Sequence, residues 1–180
     1  MKTLLLLRHA QALPSSATVG DFERSLSPKG IEDARKLGEV LKAQDLSIDL
    51  IKCSSANRTQ QTTAEGCAGL EQNIHTENSK SIYNASAGDL FKMIQDTDDK
   101  VDTLMIVGHN PTVYELVSKL AATGSNAVFD SLAHGYSPAT LTIIETGIES
   151  WAEINPDQCE AKAVFDPSDY NAPERPTRWM

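Results

Sequence analysis

The spacing of apolar positions changes several times along the chain, and each change marks a strand or a helix. Leu4 to Leu7 is a continuous apolar run, too short for a helix, and predicts a strand buried on both faces as in a parallel sheet. Further strands are predicted at Ile48 to Cys53, Val101 to Val107 and Thr140 to Glu145. After the first strand, Ile31, Ala34, Leu37 and Leu41 recur every three or four residues, while Glu32, Asp33, Arg35, Lys36 and Glu39 fall mostly on the other side. Ser27 followed by Pro28 supplies an N-cap and a first-turn proline, so this helix is expected from Pro28 to about Gln44. A second helix is expected after Ser54-Ser55, through Arg58 to about Leu70. A third covers Gly88 to about Thr97, with Leu90, Phe91 and Ile94 inward. A fourth, capped by Asn110 and opened by Pro111, carries Val113, Leu116, Val117 and Leu120 and ends at Thr123-Gly124. Asn73 to Thr76 reads as a short strand, the stretch after Gly124 as a polar loop, and Ser150 to Asn155 as a strand beside Thr140 to Glu145.

Alternation of strand and helix places the chain in the α/β class: a single domain with a mostly parallel central sheet flanked by helices. Its 180 residues suit one domain of about 100–200 residues. The catalytic domain is expected over residues 1–155. Beyond Asn155 the composition turns to Pro, Asp, Glu and Ala, so 156–180 is expected to be an acidic, weakly structured tail.

With 16 Lys and Arg against 25 Asp and Glu, the net charge of −9 repels polyphosphate and argues against a general nucleic-acid binder. Cys53, Cys67 and Cys159 are far apart and form no C-x-x-C pair, so reduced thiols are expected rather than disulfides or a zinc site. The apolar run at the start stops at Arg8-His9, too soon for a signal peptide, and no stretch approaches the ~18 apolar residues that span a bilayer. A cytoplasmic monomer with no membrane association is expected.

In open α/β sheets the ligand crevice lies beyond the carboxyl ends of the strands. Three such ends carry notable residues: Arg8-His9, then Ser54-Ser55 with Arg58 shortly after, then Gly108-His109-Asn110. A parallel sheet would bring two Arg and two His to one edge. Two guanidiniums suit a dianion, each offering a planar fork of donors to phosphate oxygens. The sequence holds no G-x-x-x-x-G-K-[ST] loop and no G-x-S-x-G elbow, which excludes a P-loop site and a serine-hydrolase elbow. With no metal constellation and no Ser or Cys nucleophile motif, imidazole is the candidate nucleophile, and His9 the first choice. His109 would then flank the transferring phosphoryl group together with Arg8 and Arg58.

Taken in order, these segments resemble the histidine phosphatase superfamily. Leu5-Leu6-Leu7-Arg8-His9-Ala10 is similar to its Arg-His-Gly opening, with Ala10 in place of Gly. Leu26-Ser27-Pro28-Lys29-Gly30 resembles its L-[ST]-x-x-G helix entry. Ser54 to Thr62 resembles the S-S-x-x-x-R-x-x-x-T segment, and Val107-Gly108-His109-Asn110-Pro111 the V-G-H-N-P segment. The short length is similar to the small branch typified by the SixA phosphohistidine phosphatases. The resemblance implies that His9 is the phosphorylated nucleophile, that Arg8, Arg58 and His109 form the phosphate pocket, and that no metal or organic cofactor takes part.

One departure bears on substrate. Larger members carry an acidic proton donor in an insertion after the second Arg; that insertion is missing here, and the setting of Glu77, before the third helix, does not match it. Phosphohistidine needs such a donor less than a sugar alkoxide does, so a phosphohistidine on a protein is the expected substrate. The alternatives are a same-fold phosphatase acting on a small phosphate ester, and a phospho-binding module without turnover. Gln11 and Asn110 are weaker candidates for substrate contact, and His134 for a place at the pocket border. His75 is expected at the surface and Cys53 in the core.

Overall fold

The structure, a computed structural model, describes residues 1–171. Strands β1 (Lys2–Arg8), β2 (Leu50–Ser54), β3 (Thr76–Ser79), β4 (Thr103–Gly108), β5 (Thr123–Gly124), β6 (Leu141–Thr146) and β7 (Cys159–Phe165) form one sheet in the order β3-β2-β4-β1-β6-β7-β5. β3, β2, β4 and β1 run parallel to one another. β6 runs antiparallel to both β1 and β7, while β5 is parallel to β7. The sheet is therefore mostly parallel with one reversed strand.

Helices α1 (Pro28–Ala43), α2 (Asn57–Leu70), α3 (Lys80–Tyr83), α4 (Ala87–Gln95), α5 (Thr112–Leu120), α6 (Asn126–Ala133) and α7 (Pro167–Tyr170) flank it. β1 is apolar throughout because both its faces are covered. Leu4 and Leu6 pack with Leu90, Ile94, Leu116 and Leu120 of α4 and α5, whereas Leu5 and Leu7 pack with Leu37, Leu41 and Leu70 of α1 and α2. α1 and α2 approach backbone to backbone. A side chain at Gly38 would collide with the Gly66 carbonyl, and one at Gly69 with the Arg35 carbonyl. No helix among the described residues is long and apolar enough to cross a membrane.

Several expectations are corrected. Ser150 to Asn155 is not a strand: Trp151–Glu153 is a short 3-10 turn whose fully buried indole donates to the Val101 carbonyl at 2.7 Å. The partner of β6 is β7, which lies inside the stretch expected as tail, so the sheet runs on past residue 155 to Phe165. Cys159 and Ala161 point inward between exposed Glu160 and Lys162. α7 then returns to the body, Tyr170 donating to the Ala139 carbonyl at 3.0 Å and Asn171 to Asp33 at 2.7 Å. The rest of the expected tail, 172–180, lies outside the described residues. α6 replaces the expected polar loop, with Ser125 as its cap and Val128 and Leu132 buried one turn apart. β3 begins at Thr76, where the predicted strand ended.

Candidate active site

Strand register assembles the site. Arg8 of β1 pairs with Gly108 of β4, and Cys53 of β2 with Val107, so β1, β2 and β4 end level with one another. His9, Ser54 and His109 therefore meet at one edge, with the two imidazole centroids 5.3 Å apart. The His9 backbone N–H donates to the Gly108 carbonyl at 3.0 Å, which fixes the two strand ends to each other.

Arg58 arrives from the first turn of α2. Thr62, one turn on, accepts from the Ala10 N–H at 3.0 Å and donates to the Arg58 carbonyl at 2.7 Å, tying this helix to the residue after His9. The close α1–α2 contact holds the helix from its other side. Arg58 is almost fully buried, and its guanidinium lies between the histidines: Nε–H donates to His9 Nε2 at 3.1 Å and Nη2–H to His109 Nδ1 at 3.2 Å.

These contacts determine both tautomers. His9 Nδ1 lies 2.7 Å from the Ala10 carbonyl, which can only accept, so Nδ1 carries the proton and Nε2 the lone pair. His109 Nδ1 faces a guanidinium that can only donate; its Nε2–H accordingly donates to Ser54 Oγ at 2.8 Å. Both lone pairs thus point at the same small space. Burial, then the Arg58 charge among the cations nearby, pushes the His9 pKa down to about 3, although the Ala10 carbonyl opposes this. Burial and Arg58 push His109 down to about 4. Both rings are neutral near pH 7.

Arg8 closes another side. One of its Nη groups donates to the Tyr136 carbonyl at 2.6 Å, and its buried Nε has no protein partner among the described residues. That donor is free for an anion. Four chemistry-bearing side chains expected from the sequence, Arg8, His9, Arg58 and His109, therefore converge on one pocket. A tetrahedral anion placed there would meet two guanidiniums and two imidazoles.

Other expectations fare differently. Gln11 is exposed and its side chain accepts from Ser27 Oγ at 2.8 Å. Asn110 does not cap α5, whose N-cap is Pro111; its amide donates to the Tyr136 carbonyl at 3.0 Å, buttressing the group that holds Arg8. The cap of α2 is Ala56, and Ser54 serves His109 instead. His134 is exposed at the end of α6 and bonds the Asp130 carbonyl, and exposed His75 lies 3.9 Å from Glu77. Cys53 is buried, with its thiol pushed up to about 11 by that burial.

Four residues of the surroundings were not expected. Asp21 Oδ2 accepts from Arg58 Nη2 at 3.0 Å and from the Tyr83 hydroxyl at 2.7 Å. Arg24 lies 3.4 Å from Asp21 Oδ1 and adds to the positive field at His109. Tyr83 sets its edge against His109 at 5.3 Å, and Tyr136 supplies the carbonyl for Arg8. The spacing Asp21-x-x-Arg24 just before the α1 cap was the available signal for two of them.

The histidine phosphatase superfamily (branch 1) profile matches residues 4–80. An uncharacterised protein of Mycobacterium tuberculosis is 30% identical over 162 residues, 88% of this chain and 98% of the relative. Among solved structures, one assigned by name to phosphohistidine phosphatase SixA of Nakamurella multipartitia superposes with a TM-score of 0.79 at 25% identity, over 92% of this chain and 96% of that one. The protein histidine phosphatase SixA in complex with tungstate has the same fold, with a TM-score of 0.71 at 19% identity over 93% and 98% of the two chains. The chain belongs to the histidine phosphatase superfamily, in its small SixA-type branch.

Proposed function

We propose that the protein removes phosphate from phosphohistidine on a protein through a phospho-His9 intermediate. The observation that carries this reading is the His9 ring, held neutral with its Nε2 lone pair directed into a pocket of two guanidiniums and a second imidazole. A binding module needs the cations but has no use for an oriented, unprotonated imidazole.

The phosphoryl group is taken up between Arg8, Arg58 and His109. Arg58 Nε–H moves from His9 Nε2 to a phosphate oxygen, which frees the lone pair. Nε2 then forms a bond to phosphorus while the bond from phosphorus to the substrate nitrogen breaks, its electron pair staying on the departing ring. Charge spread over the three equatorial oxygens is met by the two arginines. Negative charge beside His109 raises its affinity for a proton, so the bound state favours an imidazolium that donates from Nδ1 to phosphate. In the second step water attacks phosphorus, the P–Nε2 bond breaks and its electron pair returns to Nε2. The water's proton passes to a phosphate oxygen, and so to solvent.

The side chains themselves supply the positive charge, and the proposal includes turnover without a metal ion. The test is a phosphate-release assay in EDTA comparing a phosphohistidine protein with a panel of small phosphate esters, with His9→Ala as the blank. Release from phosphohistidine that disappears in the variant supports the reading. Faster release from one ester would move the function to small-molecule phosphates, and tight phosphopeptide binding without release would make the protein a binding module.

A further inference from the structure

The Asp21 carboxylate stands beside the phosphate pocket and has no part in the two steps above. It comes from the loop between β1 and α1, and its side chain is about half exposed, at 51%. Arg58 spans the distance between nucleophile and carboxylate, touching His9 through Nε at one end and Asp21 through Nη2 at the other. His9 is the floor of the pocket, only 8% exposed. In-line attack from that floor sends the leaving group to the opposite side of phosphorus, toward the rim on which Asp21 sits.

Two aromatic rings complete this rim. Phe22 and Tyr83 meet edge to face with centroids 5.0 Å apart, and Tyr83 presents its edge to His109. Their faces already attract cations, Arg58 lying over Tyr83 at 5.9 Å and Lys80 over Phe22 at 5.6 Å. The Tyr83 hydroxyl, then the Arg58 charge, holds the Asp21 carboxyl below its usual range against a small opposing effect of burial. An ionised carboxylate cannot protonate a leaving group, but it accepts a hydrogen bond and favours positive charge.

Resting on the phosphatase reading, we propose that Asp21, with the Phe22–Tyr83 wall, forms the leaving-group subsite and selects substrates whose leaving group is a flat, cationic ring. The N-phosphorylated imidazolium of phosphohistidine meets that description. Its second ring nitrogen carries a proton and donates it in a hydrogen bond to Asp21. When the P–N bond breaks, the electron pair stays on the first nitrogen and the proton stays on the second, so neutral imidazole departs. The protein then supplies no proton. A phosphate ester with an uncharged leaving group gains nothing from Asp21 and meets it as a like charge beside its dianion.

The test uses the full chain as wild type, Asp21→Asn and Tyr83→Phe, each assayed for kcat/KM on a phosphohistidine peptide and on p-nitrophenyl phosphate. Asp21→Asn is expected to lower phosphohistidine turnover about 10-fold and to raise ester turnover about 3-fold. Tyr83→Phe keeps the ring but removes the donor that orients the carboxylate and holds it ionised, so it shifts the ratio in the same direction by a smaller factor, and it decides the matter alone should Asp21→Asn not fold. Equal losses on both substrates, or an unchanged ratio, overturn the subsite. Failure of the underlying reading is seen separately, in a wild type that releases no phosphate from the peptide; that result removes the subsite with it.

Discussion

The two site histidines couple folding to pH in a direction the structure defines. Both are buried and neutral, with pKa values near 3 for His9 and near 4 for His109 against an ordinary 6.5. In the unfolded chain both titrate normally, so on acidification the unfolded state takes up protons first. Stability from these groups is fully present above about pH 6.5 and is lost as pH falls toward the folded values. At about pH 5 each unfolded imidazole is mostly protonated while each folded one is still mostly neutral, which costs about 2 kcal/mol for His9 and somewhat less for part-exposed His109. The combined loss between about pH 8 and about pH 5 is therefore about 3–4 kcal/mol, a large share of the 5–15 kcal/mol of a typical domain. Urea melts followed by the fluorescence of buried Trp151, in buffers free of phosphate, would measure it. The double variant His9→Gln and His109→Gln cannot titrate at these positions and should lose that much less over the same interval. Parallel pH dependence in the two proteins would refute the reasoning, because it would mean that the rings are not held neutral.

Other consequences are equally open to measurement. His9→Ala should reduce phosphate release at least about 1000-fold while leaving the melting temperature within a few degrees, and acid-quenched wild type, unlike the variant, should retain covalent phosphate. Arg58→Ala should raise KM and lower kcat together, with kcat/KM falling about 100-fold or more, because charge-assisted bonds of about 1.5–3 kcal/mol each are lost from the phosphate. Gly38→Ala forces a methyl group onto the Gly66 carbonyl and should cost about 1–3 kcal/mol in thermal or urea melts, with a parallel loss of activity because α2 carries Arg58.

The legible part of the site is the part positioned by strand register. β1, β2 and β4 announce themselves as short apolar runs, and each run ends where the polar chemistry begins, at Arg8-His9, Ser54 and Gly108-His109. Once the strands are parallel and adjacent, their ends must meet, so the convergence of His9, Arg58 and His109 follows from periodicity and order along the chain. The supporting polar residues of the same motifs were readable as motifs but not as contacts: Ser54 looked like a helix cap and orients His109, and Asn110 looked like a cap and braces the Tyr136 carbonyl. β7 escaped notice because its inward positions, Cys159 and Ala161, are small and lie in an acidic stretch, which carries little hydrophobic contrast. Asp21, Phe22, Tyr83 and Tyr136 escaped for a different reason. They lie on loops or on the short α3, and no period dictates where a loop folds back across a sheet edge.

This division has a chemical counterpart. The proposed nucleophile and phosphate-binding cations must be held rigidly for attack in line, and they are supplied by strand ends and by a helix locked against its neighbour through Gly38 and Gly69. The groups that meet the variable part of a substrate come from the loop between β1 and α1 and from α3, which can change without disturbing the sheet. Reaction type is therefore written where sequence patterns are strongest, and substrate choice where they are weakest. The carboxylate at the outer wall of the pocket, Asp21, precedes Arg58 in the chain, and Tyr83, which donates to it, follows, so the chain approaches that wall from both sides of the arginine. Transplanting the segment from Pro14 to Ser25 between members of this fold should accordingly move leaving-group preference while leaving the pH dependence of folding and the His9 intermediate in place; a chimera that lost the covalent phosphate would show that this loop also holds the nucleophile.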